Sequence, residues 1–279
     1  MSTVYLNGEF LPMHEARISP MDRGFLFGDG VYEVIPVYQK KIFSLEEHLK
    51  RLYANLEELD ITNPYDNSEW ENIFTEIIKH TSFEQEAIYL QVTRGVMNTR
   101  AHYQENLNPT VFVESNKISN RDNNEIYAGY SAITEKDERW SKCHIKSISL
   151  LANVLSIKNA KKNNAEEVIF KRDDVITEGA SSNVFIVRNN QVFTHPKNNL
   201  ILPGVTREIS IRILQDLNIE VFENSFTEEE MMSADEIWIT SSTREILPIT
   251  SVNSIKIQSG KAGPLWEKVY LSYQSIKNG

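Results

Sequence analysis

The sequence predicts an α+β protein of two domains, from three observations. Strand-like runs cluster with interspersed helical stripes in both halves of the chain. The stretch Ser119-Asn120-Arg121-Asp122-Asn123-Asn124 is polar and without periodicity, the composition of a connector. The length, 279 residues, suits one or two domains with ample core. The expected division is residues 1–118, a linker at 119–125, and residues 126–279, with a ligand site at the domain interface.

The first half opens with Val4-Tyr5-Leu6 and Glu9-Phe10-Leu11 around Asn7-Gly8. That is a type I′ hairpin signal, because both turn residues tolerate positive φ. A strand-like run follows from Gly30 to Tyr38. Ser44 and Glu47 have the form of a capping box ahead of Leu45, Leu49, Leu52, Leu56 and Leu59, spaced by three and four as on a helix face. Ser68 and Glu71 repeat the box before Ile73, Phe74, Ile77 and Ile78. Residues 87–93 and 110–114 read as strands.

Beyond the linker a strand is expected at 143–149 and a helix at about 151–162. Two short strands within 168–177 turn at Asp173-Asp174, and residues 184–188 and 191–194 form a hairpin across Asn189-Asn190. A helix from about Thr206, a strand at 220–223, a third capping box of Thr227 with Glu230, and a strand at 236–240 complete the reading.

Composition narrows the function classes. The chain is 41% apolar and 24% charged, as ordinary globular proteins are, and its net charge of −10 disfavours nucleic-acid binding. The one cysteine, Cys143, excludes an intramolecular disulfide, and no Cys/His cluster has metal spacing. No apolar run reaches the roughly 20 residues of a membrane span. The opening residues lack the layout of a signal peptide, so a cytoplasmic setting is expected.

Four segments carry candidate chemistry. In the expected strand at 143–149, period-2 alternation puts Lys146 on the face of Ile148 and Leu150. A lysine on an apolar face loses hydration, which favours the neutral amine and Schiff-base chemistry; an edge-strand lysine reaching solvent is the plainer alternative. Glu178, in a Gly/Ser-rich turn, could face a pyridine nitrogen or simply cap the turn. Ser181, Ser182 and Asn183 could donate to a ligand or serve their own turn. Pro203-Gly204-Val205-Thr206 opens a helix, whose N-terminus suits a phosphate. Arg51 could supply a balancing guanidinium and Ser242 a hydroxyl, while Arg100 and His102, two residues apart, could clamp a carboxylate. Gly24, Gly28 and Gly30 fit no dinucleotide or P-loop spacing and read as turns. An amine, an acid and two phosphate cradles in one chain are the parts needed to hold pyridoxal phosphate.

Several motifs sharpen this reading: Asp22-Arg23-Gly24, Phe27-Gly28-Asp29-Gly30-Val31-Tyr32-Glu33-Val34, Arg51-Leu52-Tyr53-Ala54, Arg100-Ala101-His102, Ile145-Lys146-Ser147, Thr177-Glu178-Gly179 and Ser181-Ser182-Asn183-Val184-Phe185. From Tyr5 to about Tyr270 the chain resembles the D-amino acid transaminases of the fold-type IV pyridoxal phosphate enzymes. The resemblance implies a two-domain fold-type IV architecture and pyridoxal 5′-phosphate as cofactor. It implies Lys146 as the Schiff-base lysine and Glu178 as the partner of the pyridine nitrogen. Arg51, the Val205 and Thr206 backbone and Ser242 fall on the phosphate cup, and Ser181 and Ser182 on further cofactor contacts. Tyr32, Arg100 and His102 fall on the trap for the substrate carboxylate, Arg100 and His102 reaching the partner's site in a homodimer. The substrates implied are D-amino acids and 2-oxo acids in a ping-pong transamination.

Two positions depart from the pattern. Pro36 stands where a lysine is expected, and Arg244 where a small polar residue is expected. Arg244 either pairs with a substrate carboxylate, favouring dicarboxylic substrates, or points to solvent. The alternatives to the D-transaminase are a branched-chain L-amino acid aminotransferase, an aminodeoxychorismate lyase, and a non-catalytic protein that binds the cofactor.

Overall fold

The computed structural model describes residues 2–279. The chain divides into two compact units, one running to Ser119 and including Ile145–Leu150, the other made of Asn120–His144 and Leu151–Gly279.

In the first unit, strands β1 (Thr3–Leu6), β2 (Glu9–Pro12), β3 (Gly30–Tyr38), β4 (Lys41–Ile42), β5 (Gln85–Thr93) and β6 (Thr110–Lys117) form one antiparallel sheet in the order β2-β1-β6-β5-β3-β4. The β1–β2 turn has Asn7 at φ 50° and Gly8 at φ 103°, as the sequence predicts. Alternation along β3 turns Val31, Ile35 and Val37 into a core shared with two helices, α2 (Leu45–Glu58) and α3 (Asn67–Lys79), preceded by the short α1 (Arg23–Phe27). Leu49, Leu52 and Leu56 of α2 and Trp70, Phe74 and Ile77 of α3 fill that core. Each such side chain contributes roughly 1.5–3 kcal/mol on burial.

Two helix starts differ from expectation. Ser44 lies in the left-handed region, at φ 55° and ψ 41°, and its hydroxyl caps nothing. The helix at Ser68 begins earlier, at Asn67, because Asp66 accepts from Glu69 N while the Glu69 side chain accepts from Asp66 N. The carboxylate two residues upstream thus wins the cap from the serine.

Pro36 sits inside β3, yet it costs the sheet no bond to β5. Its carbonyl accepts from Phe43 N, on the edge away from β5, and the missing N–H falls on that same edge.

The segment at 143–149 is not a strand. Ser147 N bonds to Ile145 O at 2.8 Å and Leu150 N to Ile148 O at 2.9 Å, tight turns that break the extended run. Its residues 145–150, expected in the C-terminal domain, belong with the first unit. They lie along the edge of β3, where Tyr32 N donates to Lys146 O (3.0 Å) and Ile148 N to Gly30 O (3.1 Å).

The second unit starts within the expected linker, which carries the first turn of α4 (Asn123–Ala128), capped by Asp122. A mixed sheet follows, in the order β12-β11-β10-β13-β14-β7-β8-β9 with β15 beside β14. Its strands are β7 (Tyr130–Lys136), β8 (Glu167–Arg172), β9 (Val175–Gly179), β10 (Asn183–Arg188), β11 (Gln191–Thr194), β12 (Val221–Glu223), β13 (Glu236–Ser241), β14 (Glu245–Val252) and β15 (Ile255–Lys256). The helices are α5 (Leu151–Lys162), α6 (Val205–Asp216), α7 (Glu228–Met232) and α8 (Pro264–Asn278). Thr227 and Glu230 make the predicted capping box of α7. Among the described residues no helix is long and apolar enough to cross a membrane, and no group of His, Cys, Asp and Glu could hold a metal ion.

Candidate active site

On the first unit the edge of β3 carries the amine. Lys146 Nζ lies 4.0 Å from the centroid of the Tyr32 ring. Among the described residues of this unit it has no hydrogen-bonded or ionic partner. Gly28 permits the close approach of Ser149 on the same strip, and Gly30 the close approach of β5. A Cβ on Gly28 would meet Ser149 Oγ at 2.4 Å, and one on Gly30 would meet Val92 O at 2.6 Å. Gly28 also needs its positive φ of 66° to end α1.

Glu33, one residue after Tyr32, points to the opposite face and is fully buried. Its carboxylate accepts from Arg51 Nε and Nη2, each at 2.8 Å, and meets His48 Nδ1 at 2.8 Å. Burial works to raise the Glu33 pKa, but the Arg51 guanidinium and His48 outweigh it and hold the carboxyl well below its usual range. Burial pushes His48 down despite Glu33. Arg51 is therefore locked on α2 by a bidentate pair, a geometry that fixes its plane.

Arg100 and His102 lie on the loop after β5. Both are exposed, with the Arg100 guanidinium 4.9 Å and the His102 ring 5.7 Å from the Phe27 ring.

On the second unit Glu178 is the penultimate residue of β9, buried, and its two oxygens divide their partners. Oε1 accepts from Arg139 Nη1 (2.7 Å), while Oε2 accepts from Leu202 N (2.9 Å) and Asn183 Nδ2 (3.2 Å). Burial pushes its pKa up to about 7, against the pull of Arg139 and the Leu202 N–H. Arg139 is held in turn by a bidentate pair with Asp137, at 2.9 and 3.0 Å, over the face of Phe170.

Asn183 links Glu178 to the start of α6. Its Nδ2 also donates to Leu202 O at 2.8 Å, and its Oδ1 lies where a Cβ on Gly204 would be, at 2.2 Å. Gly204 is the N-cap, and no side chain caps the helix there. Val205 and Thr206 are buried as the first two helical residues. Their N–H groups are the kind of donors that bind phosphate. Ser242 lies in the turn between β13 and β14, partly buried.

Ser181 and Ser182 converge on a carboxylate that sequence reasoning passed over. Ser182 Oγ donates to Glu167 Oε2 at 2.8 Å and Ser181 Oγ to the same atom at 3.3 Å. Arg244 joins them: its Nη2 donates to Glu167 Oε2 and to Ser181 Oγ (2.8 Å). Arg244 thus does not run out to solvent: the fully buried Glu167 holds its Nη2.

The structure collects Lys146, Tyr32 and Arg51 on one unit, and Glu178, Ser181, Ser182, Val205, Thr206, Ser242 and Arg244 on the other. Arg139, Glu167, Glu33 and His48 support them and were missed. Arg139 lies in the charged run Asp137-Glu138-Arg139, which reads as a solvated turn. Glu167 follows Glu166 at a strand start and gives no signal of burial.

The profile of amino-transferase class IV matches residues 30–252, a span that takes in Tyr32, Arg51, Lys146, Glu178 and the start of α6. This chain belongs to the class IV aminotransferases. Curated relatives include the D-alanine aminotransferases of Staphylococcus epidermidis, 37% identical over 98% of this chain and 97% of theirs, and of Bacillus licheniformis, 38% identical over 98% and 96%. Among solved structures, the branched-chain amino acid aminotransferase of Escherichia coli superposes with a TM-score of 0.91 at 22% identity, covering 98% of this chain and 94% of that one. Another branched-chain amino acid aminotransferase, solved with pyridoxamine 5′-phosphate, gives a TM-score of 0.91 at 23% identity, covering 99% and 94%. These structures share the two-domain fold-type IV architecture with this class IV aminotransferase. Its cofactor is pyridoxal 5′-phosphate, and the residues present fit it. Among the described residues, an amine with no hydrogen-bonded partner in its own unit, a buried carboxyl with a raised pKa and a helix start without a side-chain cap are groups that suit an aldehyde, a ring nitrogen and a phosphate.

Proposed function

We propose that this aminotransferase moves the amino group of a D-amino acid, D-alanine or D-glutamate or similar, to a 2-oxo acid such as 2-oxoglutarate or pyruvate. The observation that carries the reading is the identity of 37% and 38% to D-alanine aminotransferases over nearly the whole chain. Branched-chain enzymes share the fold at 22% and 23%.

Pyridoxal phosphate, when bound, supplies an electron sink for the substrate's α-carbon. In this reading Lys146 Nζ would hold the cofactor's aldehyde carbon and, once displaced by the substrate's amine, would carry the α-proton from the substrate to that same carbon. Glu178 shares a proton with the ring nitrogen, a task suited to a carboxyl pushed up to about 7. Arg51, Ser242 and the N–H groups of Val205 and Thr206 bind the phosphate, while Ser181 and Ser182 orient the cofactor. Tyr32, Arg100 and His102 bind the α-carboxylate and so set which way round the substrate lies. The reading includes a homodimer in which Arg100 and His102 serve the partner's site, and a cytoplasmic location.

The test is the visible spectrum of the cofactor-loaded protein, titrated with D-alanine, D-glutamate, L-glutamate and L-leucine. Loss of the bound-cofactor band with the D-amino acids alone supports the reading, and loss with the L-amino acids alone overturns it. Lys146→Ala is expected to lose both that band and turnover. Mixing Lys146→Ala subunits with Arg100→Ala subunits should restore activity if Arg100 acts across the dimer, and no recovery would remove that part.

A further inference from the structure

Arg23 is among the most heavily engaged side chains of the first unit, and nothing derived so far uses it. It opens α1 and is 7% exposed. Its Nε donates to Asp29 Oδ2 at 2.6 Å. Its other two nitrogens reach a loop nearly eighty residues away: Nη1 donates to Ala101 O and Nη2 to His102 O, each at 2.9 Å. Nη1 also meets Met97 Sδ at 3.0 Å. The planar fork of the guanidinium thus serves two successive carbonyls from two separate nitrogens while Nε keeps Asp29, a fixed in-plane geometry that the single nitrogen of an ammonium does not offer.

Asp29 is steadied from its other side by Arg94, through Nε at 2.8 Å and Nη2 at 3.1 Å. Backbone bonds stitch the same region together, with Arg23 N donating to Gly95 O and Arg94 N to Asp29 O. Phe27, one turn after Arg23, completes the arrangement. The Arg23 and Arg100 guanidinium carbons lie 5.0 and 4.9 Å from its ring centroid, and the His102 ring packs at 5.7 Å. The backbone bearing Arg100 and His102 is therefore held from below by Arg23, and their side chains rest on Phe27.

We infer that Arg23 and Phe27 are positioning residues for recognition of the substrate's α-carboxylate. Arg23 fixes the height of the Arg100–His102 backbone, and Phe27 limits the rotamers of the two side chains that it carries. This rests on the assignment of Arg100 and His102 to the carboxylate. Neither Arg23 nor Phe27 touches the substrate in this account. Their contribution is the entropy they remove from the loop before binding.

The experiment compares D-alanine with D-alaninol, which keeps the amine and the stereocentre but lacks the carboxylate, on the cofactor-loaded enzyme. Arg23→Lys retains the charge beside Asp29 and loses the fork. It should raise the KM for D-alanine about tenfold with kcat changed less than about threefold. The cofactor spectrum and the half-reaction rate with D-alaninol should stay as they are. Phe27→Leu, which keeps an apolar side chain but no aromatic face, should move the same parameters in the same direction by a smaller factor. A purely structural role would lower both substrates alike or release the cofactor, and either result overturns the inference. If Arg23→Lys does not fold, Phe27→Leu carries the test, and an equal change for both substrates again overturns it. The double variant Arg100→Ala/His102→Ala separates the two levels. If it raises the D-alanine KM while Arg23→Lys and Phe27→Leu do not, positioning is wrong; if it has no effect, the carboxylate assignment itself falls.

Discussion

Glu178 and Arg244 illustrate what burial does to a single charged side chain. Glu178 has a pKa near 7 in the folded chain against about 4.5 ordinarily, so the folded state holds a proton that the unfolded state has released between those values. The stability tied to that proton is fully present below about pH 4.5 and is lost as pH rises through 7, a change on the order of 3 kcal/mol. Urea denaturation of cofactor-free protein at pH 5 and pH 8 should show this decline, and Glu178→Gln should flatten it. Arg244 Nη2 is engaged by Glu167 and Ser181, and a guanidinium so held is expected to contribute little to selecting dicarboxylic substrates. Arg244→Ala should change the ratio of kcat/KM for D-glutamate and D-alanine by less than threefold. The same change should cost about 3–5 kcal/mol by leaving the Glu167 carboxylate without its cation. A tenfold selective loss with D-glutamate would mean that the guanidinium turns to substrate.

At the scale of elements, periodicity served well where one face of a helix or strand is buried. Leu49, Leu52 and Leu56 of α2 and Ile73, Phe74 and Ile77 of α3, all buried, show this, and the turns at Asn7-Gly8 and Asn189-Asn190 were legible as well. Capping boxes were legible only in part, because the pattern of a serine followed by a glutamate ignores competitors. At α3 the cap is Asp66, so Asp66→Ala should cost about 1 kcal/mol in chemical denaturation, whereas Ser68→Ala should stay within about 0.5. Five elements of the second unit, α4, β7, β14, β15 and α8, were not expected from the sequence, three of them for identifiable reasons. Pro248 interrupts β14, the aromatic residues of α8 blur its stripe, and β7 is flanked by charge. The segment at 143–149 alternates like a strand, and two of its residues, Lys146 and Ile148, bond to the edge of β3, while its tight turns leave no trace in the composition.

For the whole molecule, the candidate site was legible where one residue carries its own chemistry and hidden where a charge depends on a distant partner. Lys146 shows as a lysine among apolar neighbours, and Glu178 as a lone acid before a Gly/Ser-rich run. Arg139 is 39 positions from Glu178 and Arg244 is 77 from Glu167, separations at which no local pattern marks an ion pair. The fold brings these partners together, and only its description names them.

The strip from Ile145 to Leu150 has a consequence for how the protein is made. The first unit is not complete when Ser119 leaves the ribosome, because the edge of β3 still lacks the residues that cover it. Some thirty further residues must be translated before Leu150 emerges, about 2–6 s at ordinary elongation rates. During that interval an open strand edge is presented to every neighbouring nascent chain. A polypeptide released at residue 119 should therefore aggregate more readily in a light-scattering assay than one released at residue 150.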